Sequence, residues 1–122
     1  MTLANLLFLT LLACQTQGIE NIDNDQLQEL LKDEDVQLVD VRTPEEWSYG
    51  QIEGAANIDF YDPEFLTKLE EFDKDKPLVL YCAAGGRSAQ AASKLQNTGF
   101  KKIYNLSGGF RGWSAAGLPT VK

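Results

Sequence analysis

The chain of 122 residues contains no histidine. That absence excludes Ser-His-Asp and Cys-His nucleophilic catalysis, and any zinc site built on imidazole. Cysteine is nearly as scarce, with Cys14 and Cys82 the only two. A disulfide framework or a structural Cys-rich metal site is therefore not expected. Positive charge is short as well: the formal net charge is -7, and every Asp, Glu, Lys and Arg lies at or beyond Glu20. An acidic folded part argues against nucleic acid or anionic lipid as a partner. Any anionic substrate must be held by local groups, because the overall field repels it. No internal repeat or low-complexity segment is visible. The length suits one compact domain and is too short for two.

The opening residues read as an address. Leu3 to Ala13 is almost wholly apolar, a length that fits a signal-peptide core and is short for spanning a bilayer. It ends in Leu11-Leu12-Ala13-Cys14, which resembles a bacterial lipobox, whose cysteine is acylated and begins the mature protein. Upstream, Met1 to Asn5 carries no Lys or Arg, unlike the usual basic start of such signals. A buried amphipathic helix or an uncleaved anchor would be plainer readings, but neither explains why the run stops at a small residue followed by cysteine. The expectation is a signal segment over 1–13, a tether over 14–19 and one domain over 20–122. The protein would then face the periplasm or be held as a lipoprotein in the bacterial cell envelope, with Cys14 lipidated and a lipid anchor as its only membrane contact.

Beyond the tether, short apolar runs alternate with helical patterns. Asn24 or Asp25 can cap a helix through Leu27, Leu30 and Leu31. Val36 to Val41 reads as a buried strand. Thr43-Pro44-Glu45-Glu46 combines an N-cap Thr, a Pro at the first helical position and a Glu three residues after the cap, a strong helix start that Gly50 can end. Ala56-Asn57-Ile58 is a weak strand. Pro63 to Phe72 reads as a helix with Phe65, Leu66, Leu69 and Phe72 on one side. Leu78 to Tyr81 follows as a strand, then a helix from Ser88 to Thr98 with Gly99 as its C′ residue. Ile103 to Leu106 is a final strand, and Phe110 to Ala116 a short helix stopped by Gly117 and Pro119. This alternation indicates an α/β domain with a mainly parallel sheet.

The chemistry concentrates at Cys82. It follows a strand and precedes a helix, the position where ligands bind beyond the carboxyl ends of parallel strands. Ala83, Ala84, Gly85 and Gly86 carry little or no side chain, so the loop can curl and aim consecutive N–H groups at one anion. Arg87 adds a charge with several donors, and Ser88 opens the helix. Such a thiol should titrate low and react as thiolate, and the same surroundings would hold a persulfide anion. The plain alternative is a buried strand-end cysteine followed by a turn. The Gly85-Gly86-Arg87-Ser88 order and the helix start weigh against it.

Four ordered motifs make the chain resemble a single-domain rhodanese, a thiosulfate-type sulfurtransferase. Asp40 to Trp47 is similar to the family's first signature and Gly50 to Ile58 to its second. Cys82 to Ser88 resembles the active-site loop. Asn105 to Trp113, with Gly117-Leu118-Pro119, resembles the C-terminal signature. The resemblance implies a three-layer α/β domain with a mainly parallel five-stranded sheet flanked by helices. It implies that Cys82 is the catalytic nucleophile that takes up sulfane sulfur, and that the backbone N–H groups of Ala83 to Ser88 hold the resulting anion. Asp40 and Arg42 would be supporting residues, and Trp47 and Trp113 core residues. The partners would be a small sulfur donor and a thiol or cyanide acceptor, with no metal and no cofactor.

Two positions depart from the family pattern. Gln51 stands where His is usual, which alters a structural hydrogen bond. Ala83 stands where many members carry Arg, so the loop is less basic and the sulfur donor is left open. The rival enzyme class, Cys-based phosphatases and arsenate reductases, uses a loop one residue longer, Cys-x5-Arg. Here four residues separate Cys82 from Arg87, a tighter cradle better suited to a terminal sulfur. A second rival is an inactive rhodanese-like module that only binds a partner. Inactive members typically lose the cysteine or the small-residue loop, and this chain keeps both.

Overall fold

The computed structural model describes residues 18–122. The signal segment, most of the tether and Cys14 lie outside the described residues. Five strands form one sheet: β1 (Ile19–Ile22), β2 (Gln37–Asp40), β3 (Ala56–Asn57), β4 (Leu78–Tyr81) and β5 (Ile103–Leu106), in the order β1-β5-β4-β2-β3. Every pairing is parallel. Among the described residues four helices connect them, α1 (Asn24–Leu30), α2 (Pro44–Ser48), α3 (Phe65–Leu69) and α4 (Gly86–Leu95), and α5 (Gly109–Ala115) follows β5. The expected three-layer α/β domain with a parallel five-stranded sheet is the fold observed.

Strand alternation divides the core in two. Val39, Val41, Leu78, Leu80 and Ile103 pack with Phe65, Leu69, Ala91, Ala92 and Leu95 from α3 and α4 on one face. Leu38, Val79, Tyr81 and Leu106 pack with Leu27 from α1 and Trp113 from α5 on the other. β4 is central and buried along its whole length. Each fully buried leucine here contributes roughly 1.5–3 kcal/mol of hydrophobic stabilisation. This anchors the strand that carries the thiol.

The helix start at Thr43 forms as its sequence dictates. The Thr43 side chain accepts from the Glu46 N–H, the Glu46 carboxylate accepts from the Thr43 N–H, and Pro44 occupies the first turn. Elsewhere the structure corrects the sequence reading. The N-cap of α1 is Asp23, which forms a capping box with Gln26, and neither Asn24 nor Asp25 takes that place. β1 was not anticipated, because Ile-Glu-Asn-Ile is too short and too polar to show alternation. It forms by pairing with β5, and it claims Ile19 from the expected tether.

The α-helical part of the Pro63–Phe72 segment is only Phe65–Leu69. Phe65 and Leu69 are buried, but Leu66 is exposed. α4 begins at Gly86 and ends at Leu95. Asn97 turns left-handed at φ 67 and Gly99 follows at φ 108, so the helix stops before Gly99 can serve as its C′ residue. Trp113 is a core residue, its indole N–H donating to the Pro119 carbonyl at 2.8 Å. Trp47 is only half-buried on the short helix α2, which buries no residue fully.

Candidate active site

Strand phase delivers the thiol. Leu78 and Leu80 point to the α3/α4 face, and Cys82, next in phase, joins that same cluster with 2% of its surface exposed. The loop then folds back over the sulfur. Gly85 donates its N–H to Sγ at 3.1 Å, and the Ser88 hydroxyl donates to Sγ at 3.4 Å. Gly85 adopts φ +96, and a Cβ there would collide with the Ser107 carbonyl oxygen. Only glycine can make this turn at this approach. Ala84 and Gly86 are exposed and form the open rim of the loop.

Two carbonyls of the loop are held from outside. The Cys82 carbonyl accepts from Phe110 N–H at 2.8 Å, and the Ala83 carbonyl from Arg111 N–H at 3.0 Å. These are donors from the first turn of α5, brought close by Gly109 at φ +62. A Cβ on Gly109 would sit 2.5 Å from the Ala83 oxygen. Ser88 Oγ also lies 3.3 Å from the Gly85 carbonyl, which Asn105 Nδ2 approaches at 3.5 Å. With its carbonyls held from outside, the loop turns N–H groups inward. α4 adds the positive end of its dipole.

Two opposing effects set the titration of the thiol. Burial is the largest and pushes the pKa up. The Ser88 hydroxyl and the N–H groups of Ser88, Ala84 and Gly85 together outweigh it, so the pKa falls below its ordinary value of 9.0. Neutral hydrogen-bond donors thus favour the Cys82 thiolate.

Arg87 is held in an ion pair that its position in the sequence does not suggest. Its guanidinium donates through Nη1 and Nη2 to the two carboxylate oxygens of Glu46, at 2.8 and 2.9 Å. Glu46 is held in turn by Thr43, whose N–H and hydroxyl both donate to Oε1 at 3.1 Å. The Arg87 hydrogen bonds, opposed by burial and helped by Thr43, lower the Glu46 pKa to about 2. The carboxylate is ionised at any working pH.

Asp40 and Arg42 lie behind the site, fully buried and beside one another. Arg42 Nε donates to both Asp40 oxygens at 2.9 Å, and Nη2 donates to Asp40 Oδ2 at 2.6 Å and to the Gly50 carbonyl at 2.7 Å. The guanidinium also lies 4.2 Å from the Phe110 ring centroid, beneath the residue whose N–H holds Cys82. Asn57 Nδ2 closes the turn by donating to the carbonyls of Asp40 and Arg42. Gln51 bonds through its backbone to Val121 in both directions at 2.8 Å, a structural contact away from the thiol.

The structure therefore gathers Cys82, Ala84, Gly85 and Ser88 around the sulfur, and places Ala83 and Gly86 on the framework and rim. It turns Arg87 toward Glu46 and sets Asp40 and Arg42 behind. Sequence reasoning assigned Glu46 only to a helix cap and missed its pairing with Arg87, 41 residues away. It also missed the role of Gly109, Phe110 and Arg111 as the clasp on the loop. The Gly108-Gly109 pair was the one local signal for that close approach.

Comparison with known proteins agrees with this geometry. Residues 23–116 match the family model described as a rhodanese-like domain. The chain is 38% identical over 104 residues to a sulfurtransferase of Allochromatium vinosum, covering 84% of this chain and 95% of that one. It is 33% identical over 98 residues to the thiosulfate sulfurtransferase GlpE of Glaesserella parasuis, covering 80% and 89%. The crystal structure of a rhodanese-related protein from Thermoplasma volcanium superposes with a TM-score of 0.73 at 31% identity, covering 84% of this chain and 97% of that one. From its fold, its loop and these relatives, the chain belongs to the family of rhodanese-like domains.

Proposed function

We propose that this protein is a sulfurtransferase that moves sulfane sulfur through a persulfide on Cys82. The observation that carries the reading is a buried thiol whose pKa is lowered by a ring of N–H and O–H donors. In the first half-reaction the Cys82 thiolate attacks the outer sulfur of a donor such as thiosulfate. A new S–S bond forms at Sγ, the donor's own S–S bond breaks, and sulfite leaves with the electron pair. In the second, cyanide or a thiolate attacks the outer persulfide sulfur, and the pair returns to Sγ. The sulfur passes as a neutral atom from donor to acceptor, so no external oxidant or reductant is consumed. The donors of Ser88, Ala84 and Gly85 suit both the thiolate and the persulfide anion. The chemistry needs no metal and no cofactor.

Phosphoryl transfer is disfavoured on two grounds. The loop is short, and its arginine is already paired with a carboxylate. A purely partner-binding role leaves the lowered thiol pKa without a use.

The test is the intact mass of the domain after incubation with thiosulfate or with a low-molecular-weight persulfide. The expected result is the gain of one sulfur atom, removed by cyanide and absent in Cys82→Ser. Turnover should fall on the order of a thousandfold or more in that variant. Equal rates for the two proteins would sink the assignment. The proposal includes an address in the cell envelope through acylation of Cys14, supported by the apolar run that ends at Ala13-Cys14. A fatty-acyl increment on the native protein, lost in Cys14→Ser, tests it.

A further inference from the structure

We propose that Arg111 is a specificity-determining residue, whose guanidinium holds the oxyanion head of a sulfur donor such as thiosulfate at the rim of the Cys82 loop. This rests on the sulfurtransferase reading above. The backbone of α5 is fixed to the loop at this point. Phe110 N–H donates to the Cys82 carbonyl at 2.8 Å, and Arg111 N–H donates to the Ala83 carbonyl at 3.0 Å. A long cationic side chain is therefore rooted one residue from the nucleophile, beside a loop whose Ala83 and Ala84 bring no charge of their own.

Positive charge is scarce around this rim. The chain carries -7 overall, so its field repels a dianion and binding depends on local cations. Among the described residues the basic side chains without an ion pair are Lys94, Arg111 and Lys122. Lys94 lies over the Phe60 ring from the last turn of α4. Lys122 follows Val121, which pairs with Gln51 away from the thiol. Of the three, Arg111 is the one bonded to the active-site loop, and its side chain is exposed.

The two arginines beside the loop then have separate tasks. Arg87 is close enough to Cys82 for its charge to be felt there, while both of its Nη groups are engaged by Glu46. The donors that reach Sγ, from Ser88, Ala84 and Gly85, serve the terminal sulfur of any donor molecule. The sulfonate head of thiosulfate is one bond further out, and a planar guanidinium matches its oxygens with paired N–H groups. The Arg111 guanidinium has no carboxylate competing for those groups. It would hold the head while the S–S bond breaks, and then the sulfite that the head becomes. The persulfide of a small thiol has no such head, so Arg111 sets the preference between the two kinds of donor.

The test compares second-order rate constants for persulfidation of Cys82, read by intact mass, with sodium thiosulfate and with the persulfide of 2-mercaptoethanol. Arg111→Gln keeps the backbone N–H that clasps the loop and removes the charge. The ratio of the thiosulfate constant to the persulfide constant should fall about tenfold, as a charge-assisted contact is lost. A ratio within about twofold of wild type overturns the proposal, whether the two constants are unchanged or fall together.

A second measurement needs no nucleophile. Cys82→Ser is titrated with sodium thiosulfate while the amide resonances of Ala84, Gly85 and Gly86 are followed. Adding Arg111→Gln should raise the dissociation constant about tenfold. An unchanged constant, or no binding to Cys82→Ser at all, overturns the proposal. If wild-type Cys82 takes sulfur from neither donor, the sulfurtransferase reading fails, and this binding comparison still decides the role of Arg111.

Discussion

The segments that follow β2 and β4 each carry an arginine paired with a carboxylate, Arg42 in a turn and Arg87 at the start of α4, and the two pairs are used differently. After β2, Arg42 and Asp40 have side-chain exposures of 5% and 0% and meet across a single turn. After β4, Arg87 reaches to Glu46 on a different helix, with exposures of 21% and 34%. The first pair is part of the core: it ties the strand end to Gly50 and supports the Phe110 ring. The second closes the edge of the active-site loop. The direct hydrogen-bond donors to the thiol are backbone N–H groups and one hydroxyl.

Three changes break or sharpen this contrast, and the largest effect belongs to the buried pair. Asp40→Ala leaves the Arg42 guanidinium buried without its counter-charge, which should destabilise the domain by about 3–5 kcal/mol. Urea unfolding measures it, and a loss below about 1 kcal/mol would show that the two pairs are energetically alike.

The next largest effect concerns the neutral donors. Ser88→Ala removes the strongest group lowering the Cys82 pKa and leaves burial less opposed. The thiol then titrates higher, so the acid limb of its alkylation-rate profile should move to higher pH. The rate at a fixed pH below the new pKa falls, while the alkaline plateau is retained. An unmoved limb would leave the backbone alone as the activating element.

The smallest effect is on stability at the half-shielded pair. Glu46→Gln should cost below about 1 kcal/mol at neutral pH, once solvent screening is allowed for. The sign follows from a folded-state pKa held below the ordinary 4.5, at about 2. The stabilisation is present above 4.5 and is lost as pH falls toward about 2. Wild type and variant should therefore converge in stability over that window. A difference that persists at the acid end would assign the effect to packing.

Much of the fold was legible because its signals are local. The Thr43-Pro44-Glu45-Glu46 cap, the apolar β4 run and the glycines around the thiol each act within a few residues. β1 was not legible, since Ile19 to Ile22 has no pattern of its own and is a strand only beside β5. Leu66 and Trp47 illustrate the same limit from the other side. Both look like core residues by type, yet short helices and their orientation leave them partly in solvent.

The amino-acid sequence by itself determined that a lone thiol stands at a strand end before a small-residue loop and a helix, with no histidine to assist it. Strand phase and glycine conformations follow from nearest-neighbour sterics, so those features needed no partner from elsewhere in the chain. Only the tertiary structure decided which charges remain free. The pairing of Arg87 with Glu46 and the clasp of α5 on the loop join residues far apart in sequence, and such contacts form where packing brings the elements together. The balance between burial and donated hydrogen bonds at Cys82 depends on the same packing. The candidate thiol could be read from the chain, but the partner of the arginine beside it could not.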